Sequence, residues 1–380
     1  MNYRIKRLSA LALIMILLAT LAFNVYAAPQ PVAYNSGTRH EVCSSLSDAA
    51  QDYYSANFAY DRLSRQSSDQ LLISLRALMT STHTYTAVYS DCRDLAPNTD
   101  CENGEGINKQ LTTIYTSYQS SYSEYNKGSG WNREHVWPKS LGGFNTDGAG
   151  ADLHHIRPSE NRTNSARGNL KYGYVTGGAS INGNLSGLKG GDKGSFYEPL
   201  DNAKGDVARI CLYVYVRYGG ELTKCSNITN VFQSIDVLLE WCALDPVDEW
   251  EMGRNDVVEG VQGNRNVFID YPEYAWLLFG KQLPADMTTP SGKASQTPPV
   301  SDNEQTADGA CDHTFSEWES IGDGAKFRAC IYCGMHEFSS PKGADGAIYT
   351  SIFIAVGAFF AVGAVIGIVL VYRRKNKKPA

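Results

Sequence analysis

The sequence predicts an α+β domain: two strands and a helix grouped around a cluster of titratable residues, set in a mostly helical body, with a single transmembrane helix near the C-terminus. Three observations carry this. Between Trp131 and Asn169 an extended run, a Gly-rich loop, a second extended run and a helix follow in order. Leu71, Leu72, Leu75 and Leu78 recur at helical spacing, which marks one buried face of a helix. Residues 346–372 carry no charge and are long enough to span a bilayer.

Taken in order, residues 1–27 read as a signal peptide: Arg4, Lys6 and Arg7 form a basic start, Leu8 to Phe23 is apolar, and Val25-Tyr26-Ala27 gives a small-x-small cleavage pattern. Residues 28–280 are the main domain, long enough for a full core. Residues 43–85 read as helical, and Thr84 to Tyr125, rich in Tyr, Ser and Thr, as strands with loops. The extended run from Trp131 breaks at Pro138 and crosses the loop Gly142 to Gly150. The chain is extended again near Leu153 and helical from Ser159, a capping residue. Asp206 to Tyr218 is a mostly apolar helix, and another is expected over Val231 to Leu244. Residues 281–310, rich in Pro, Thr, Ser, Gln and Asp, read as a disordered linker. A small Cys/His module (311–340) precedes the expected span. Arg373, Arg374, Lys375, Lys377 and Lys378 follow it, and a basic tail (373–380) is held on the cytoplasmic side. The domain is thus expected at the cell surface, with the membrane as partner of its C-terminal helix.

The formal charge is −6, from 34 basic and 40 acidic residues. With three basic residues in the leader and five in the tail set aside, 26 basic residues face 40 acidic ones. That excludes a general nucleic-acid coat and demands a local basic surface for any nucleic-acid partner. Arg133, Lys139, Arg157, Arg162, Arg167 and Lys171 offer one around the motif. Six of the nine cysteines (Cys43, Cys92, Cys101, Cys211, Cys225 and Cys242) lie in the main domain, where an oxidising compartment lets them pair. Cys92 and Cys101, flanking a short Pro/Asn/Asp loop, are the expected disulfide; other pairings stay open.

The chemistry concentrates in Trp131-Asn132-Arg133-Glu134-His135-Val136-Trp137-Pro138 and Asn164-Ser165-Ala166-Arg167-Gly168-Asn169. Glu134 and Asn164 offer the hard oxygen ligands that Mg²⁺ prefers, with Ca²⁺ or Mn²⁺ as substitutes. His135 is neutral near pH 7 and can take a proton from an attacking water. Carboxylate, histidine and amide together suit one-metal phosphodiester hydrolysis. A metalloprotease would need a helical His-Glu-x-x-His array, and the sequence has none.

Trp131–Ser140, Asp152–Asn169, Lys204–Tyr218 and Gln262–Asp270, in this order, resemble the bacterial endonuclease I family over roughly residues 45–280. The resemblance implies a ββα-metal (His-Me finger) core and largely sequence-non-specific hydrolysis of DNA, RNA or both to 5′-phosphate products. It also implies Mg²⁺ dependence, with Glu134 and Asn164 as metal ligands and His135 as general base. The family has a phosphate-binding arginine between the Glu-His pair and the Asp-Leu-His run; here only Lys139 stands there. Arg157 and Arg167 are the expected substitutes.

Asp152 orients a histidine or closes a turn. His154 and His155, adjacent on a strand, would point to opposite faces, and His154 is taken as the one turned to the site. Asn264 and Arg265 line the phosphate groove or fix the C-terminal segment by backbone hydrogen bonds. Cys311, His313, Cys330 and Cys333 form two close ligand pairs that suit structural Zn²⁺, with a disulfide as the alternative. The competing function is a catalytically inactive nuclease-fold surface protein that binds nucleic acid or acts in adhesion. Glu134, His135 and Asn164, all present, weigh against it.

Overall fold

The computed structural model describes residues 33–57, 60–101, 110–116, 118–175 and 196–296, with three further strand segments at 319–322, 325–329 and 336–339. Helices α1 (Asp48–Asn57) and α2 (Ser68–Ser81) open the domain. Ser67 caps α2 by accepting from the Gln70 amide, and Leu71, Leu75, Leu78 and Met79 are its buried face, each large side chain contributing about 1.5–3 kcal/mol by leaving water. A small hairpin, β1 (Gln110–Thr112) with β2 (Gln119–Ser121), precedes the central pair. Strands β3 (Trp131–His135) and β4 (Ile156–Glu160) are antiparallel, with Trp131 opposite Glu160 and His135 opposite Ile156. Helix α3 (Asn161–Arg167) follows β4 without a break, so β3, β4 and α3 form the ββα unit.

Two residues of β5 (Lys171–Tyr172) run parallel to β6 (Phe196–Tyr197). Helix α4 (Lys204–Tyr218) runs through the centre, and every residue from Lys204 to Val214 is buried. Its charged members enter the core paired, Arg209 Nε with Glu251 (2.8 Å) and Lys204 Nζ with Glu198 (2.9 Å), as buried charge requires. Helices α5 (Ile235–Leu244) and α6 (Glu249–Gln262) are capped by Ser234 and Asp248, each accepting from an amide three residues on. Helix α6 ends at Gly263 with φ +84, where a Cβ would lie 2.5 Å from Thr84 Oγ1; left-handed backbone and close approach both call for glycine.

Several expectations are corrected. The helix after β4 starts at Asn161, not Ser159. Its cap is Glu160, whose carboxylate accepts from the Thr163 amide at 2.8 Å, while Ser159 stays in the strand. Leu153 to His155 form a turn rather than a strand. The disulfide between Cys92 and Cys101 does not form: Cys92 is a free buried thiol that donates to the Ala151 carbonyl (3.1 Å). The two side chains belong to different apolar clusters, Cys92 with Leu153 and Ile156, Cys101 with Leu111 and Trp131. Residues 281–296, expected as the start of a disordered linker, lie along the domain. Leu283 and Met287 pack against the core, and the Lys293 carbonyl accepts from Tyr60.

Within 311–340 a three-stranded antiparallel sheet forms from Glu319–Gly322, Ala325–Ala329 and His336–Ser339. Cys311, His313, Cys330 and Cys333 lie outside the described residues, as do the expected signal peptide and the stretch 346–372. Among the described residues no helix is long and apolar enough to cross a membrane. Among the described residues the fold is α+β, with no transmembrane helix in it.

Candidate active site

Strand β3 alternates its side chains between two faces, and the two faces carry different parts of the site. Asn132 and Glu134 share one. Helix α3 packs there: Asn164 Nδ2 donates to Asn132 Oδ1 (2.6 Å) and to the Arg133 carbonyl (3.4 Å). With its nitrogen committed, the Asn164 amide has its oxygen left to offer. Glu134 is 3% exposed. Its Oε1 accepts from the Tyr115 hydroxyl (2.6 Å) and lies 3.1 Å from Arg167 Nη1, while Oε2 receives neither contact. Burial raises the Glu134 pKa, and Arg167 and the Tyr115 hydrogen bond pull it back.

Trp131, Arg133 and His135 share the other face. His135 Nε2 lies 3.1 Å from the Gly150 carbonyl. A carbonyl oxygen only accepts, so Nε2 carries the proton and Nδ1 the lone pair. Burial, then the neighbouring His155 and Lys139, hold the His135 pKa down to about 3, so the ring is neutral at physiological pH. Its ring neighbours are Tyr89 (centroids 5.5 Å apart, planes at 29°), His155 (5.8 Å) and Phe144 (6.1 Å).

Arg157 and Arg167 are not at a phosphate-facing surface. Arg167 is fully buried: Nη1 and Nη2 donate to the carbonyls of His135 (3.2 Å) and Val136 (2.6 Å), and its guanidinium lies 4.6 Å over the Tyr172 ring. Arg157 donates to Asp100 (2.7 Å), a carboxylate shared with Arg254 (3.0 Å). Both guanidiniums are occupied by protein, so neither is placed to hold a phosphate. Lys171 donates to the Thr229 carbonyl. Lys139 and Arg162 stay exposed and Arg133 is half-buried.

The two histidines after Asp152 divide the other way from the expectation. His155 borders His135, donates from Nδ1 to the Ala149 carbonyl (2.5 Å) and accepts at Nε2 from the Trp137 amide (2.9 Å). His154 turns away, its Nε2 donating to the Asn264 carbonyl (2.9 Å). Asp152 is a buried hub that accepts from the His154 amide, Gln262, Tyr213 and Tyr218. Burial alone would raise its pKa, but His83, His154 and these hydrogen bonds hold it below the usual carboxylate range. Asn264 bonds to Tyr213 (2.7 Å). Arg265, fully buried, pairs with Asp270 through two bonds of 2.8 Å and with Glu259 at 2.9 Å. Asn264 and Arg265 therefore tie the segment after α6 to the core.

The sequence profile described as Endonuclease I matches residues 67–273. The chain belongs to the endonuclease I family. Like the family, it is an endonuclease. It is 37% identical over 242 residues to the extracellular ribonuclease of Bacillus subtilis (strain 168), covering 61% of this chain and 81% of that protein. It is 42% identical over 174 residues to the extracellular ribonuclease of Bacillus amyloliquefaciens, covering 43% and 58%. An extracellular deoxyribonuclease of Aeromonas hydrophila is 27% identical over 119 residues, covering 31% and 48%. These relatives are named as extracellular enzymes, and no membrane-crossing helix occurs among the described residues. The expected cell-surface protein held by one C-terminal span is therefore set aside.

Tyr89, Tyr115, Tyr172 and Asp100 were not singled out by sequence reasoning. In a chain with 23 tyrosines, none carries a local signal, and each reaches the site from a distant segment.

Proposed function

We propose that this endonuclease hydrolyses RNA and DNA outside the cytoplasm with Mg²⁺ bound by Glu134 and Asn164 and His135 as general base. The observation that carries the reading is the tautomer of His135. With Nε2–H committed to Gly150, the lone pair on Nδ1 is the one free to take a proton from water.

Among the described residues no group of three or more His, Cys, Asp or Glu side chains gathers at a metal-binding distance. The donors on the α3 face of β3, one carboxylate and one amide oxygen, instead fit a hard cation that keeps most of its water. Mg²⁺ bound there would neutralise charge on the scissile phosphate and the leaving oxygen. The chain's own residues do the rest. Arg167 and Tyr115 hold Glu134 in one rotamer, and Arg167 anchors the His135 carbonyl, so the two sides of β3 are fixed to one frame. His135 deprotonates the attacking water. Lys139 and Arg162, both exposed and outside any ion pair among the described residues, replace Arg157 and Arg167 as the proposed phosphate contacts.

The names of the two Bacillus relatives support RNA as a substrate, and that of the Aeromonas relative supports DNA. The test is cleavage of RNA, single-stranded DNA and plasmid by the purified protein with Mg²⁺ and with EDTA, beside His135→Ala. Undiminished cleavage in EDTA, or by His135→Ala, would refute the reading.

A further inference from the structure

One hydrogen bond fixes one atom of an imidazole. The bond from His135 Nε2 to Gly150 leaves the ring plane free to tilt about that line, and a base must hold its lone pair on the attacking water. A second constraint is built on the same face of β3. Arg133 and His135 are two residues apart, so their side chains leave β3 on one side about 7 Å apart. That gap is the thickness of one aromatic ring with a contact on each side.

Tyr89 brings a ring to this place from the loop before the short helix Asp91–Asp94. The Arg133 guanidinium lies 3.5 Å from the Tyr89 ring centroid, and Nη1 donates to the Tyr89 carbonyl. The imidazole of His135 lies 5.5 Å from the same ring with the planes only 29° apart. Tyr125 adds a further aromatic face 5.4 Å from the Arg133 guanidinium. The contacts use the ring and backbone of Tyr89, not its hydroxyl.

We propose that Tyr89, clamped by Arg133, is a positioning residue for His135 that fixes the plane of its imidazole. The inference rests on the reading of His135 as base. Tyr89 acts through His135 and touches neither substrate nor metal. Losing it lowers turnover without weakening substrate capture, and any flat ring of similar size restores it.

The test uses the full-length chain on a single-stranded oligonucleotide. Tyr89→Ala is expected to lower kcat about 10²-fold, the scale of a misplaced catalytic group, with KM within about twofold. Tyr89→Phe is expected to keep both. Should Tyr89→Ala fail to fold, Tyr89→Leu fills the space without an aromatic face and is read the same way. A second measurement needs no turnover. In the EDTA-treated protein, the His135 ring protons should lie further upfield in the NMR spectrum in wild type and Tyr89→Phe than in the Ala or Leu variant, where only the Phe144 and His155 rings remain beside it. Unchanged kcat in Tyr89→Ala, a raised KM at unchanged kcat, or a Phe variant as impaired as Ala would each overturn the proposal. If His135→Ala itself keeps full turnover, the general-base reading fails instead, and the NMR shifts still report whether the stack exists.

Discussion

His155 offers a prediction whose size follows from its two hydrogen bonds. It donates at Nδ1 and accepts at Nε2 from the Trp137 amide, an arrangement only the neutral ring can hold. Burial is the main reason its pKa is held down to about 4 from an ordinary 6.5. Because the folded value lies below the unfolded one, the stabilisation is complete above pH 6.5 and is lost as pH falls toward 4. At about 1.4 kcal/mol per tenfold in proton activity, the loss is capped at about 3.5 kcal/mol and reaches about 2 kcal/mol at pH 5. Asp245 and Glu273, raised by burial to about 7, work in the opposite direction, so the wild-type profile alone would mix the terms. Comparison with His155→Gln removes them, since both proteins share those acids. Urea unfolding at intervals from pH 7.5 to 5 should find the variant less stable at pH 7.5. The gap should narrow by about 2 kcal/mol by pH 5, because only the wild type then carries the imidazole penalty. A gap that stays constant across this range would refute the argument.

Further outcomes follow from the site and the core. His135→Ala should cut turnover about 10²–10⁴-fold while nucleic-acid binding, measured by fluorescence anisotropy, survives. Glu134→Gln and Asn164→Ala should each weaken Mg²⁺ binding by calorimetry and abolish most cleavage, since the proposed site has few protein ligands. Arg157→Met should lower unfolding free energy by about 1–3 kcal/mol, since buried Asp100 loses one partner but keeps Arg254. By contrast, neutralising Lys139 or Arg162 should flatten the salt dependence of binding with little effect on stability. Reducing agent should leave the melting temperature unchanged, whereas loss of a Cys92–Cys101 disulfide would cost about 2–4 kcal/mol.

The ββα unit was legible because its residues are close in sequence. Glu134 and His135 are adjacent, Asn164 lies thirty residues on, and the strand–loop–strand–helix order can be read from alternation, glycine and capping residues. Helix α6 was missed for a physical reason. Glu251, Arg254, Asn255 and Gln262 are buried in it, and these polar core positions blur the apolar period that marks a helix. The same cause misdirected the arginine assignment. Sequence shows a cation near a motif, but not that Asp100, 57 residues away, already claims Arg157, or that Arg167 turns inward under β3. His154 and His155 were separable only once the turn before β4 fixed which one faces Trp137 and which faces Asn264.

The end of β3 is closed in an unusual way. Past His135 the ladder to β4 stops, yet the backbone groups there do not turn to solvent. The Val136 carbonyl accepts from Arg167 and the Tyr172 hydroxyl, and the Trp137 amide donates to His155. Each partner comes from a different segment of the core, so this stretch cannot fray alone. Amide exchange at Trp137 is then expected only through opening of the whole domain. Loss of activity on storage or under protease should follow the rate of global unfolding, making the working lifetime of this nuclease a property of its core and not of its site.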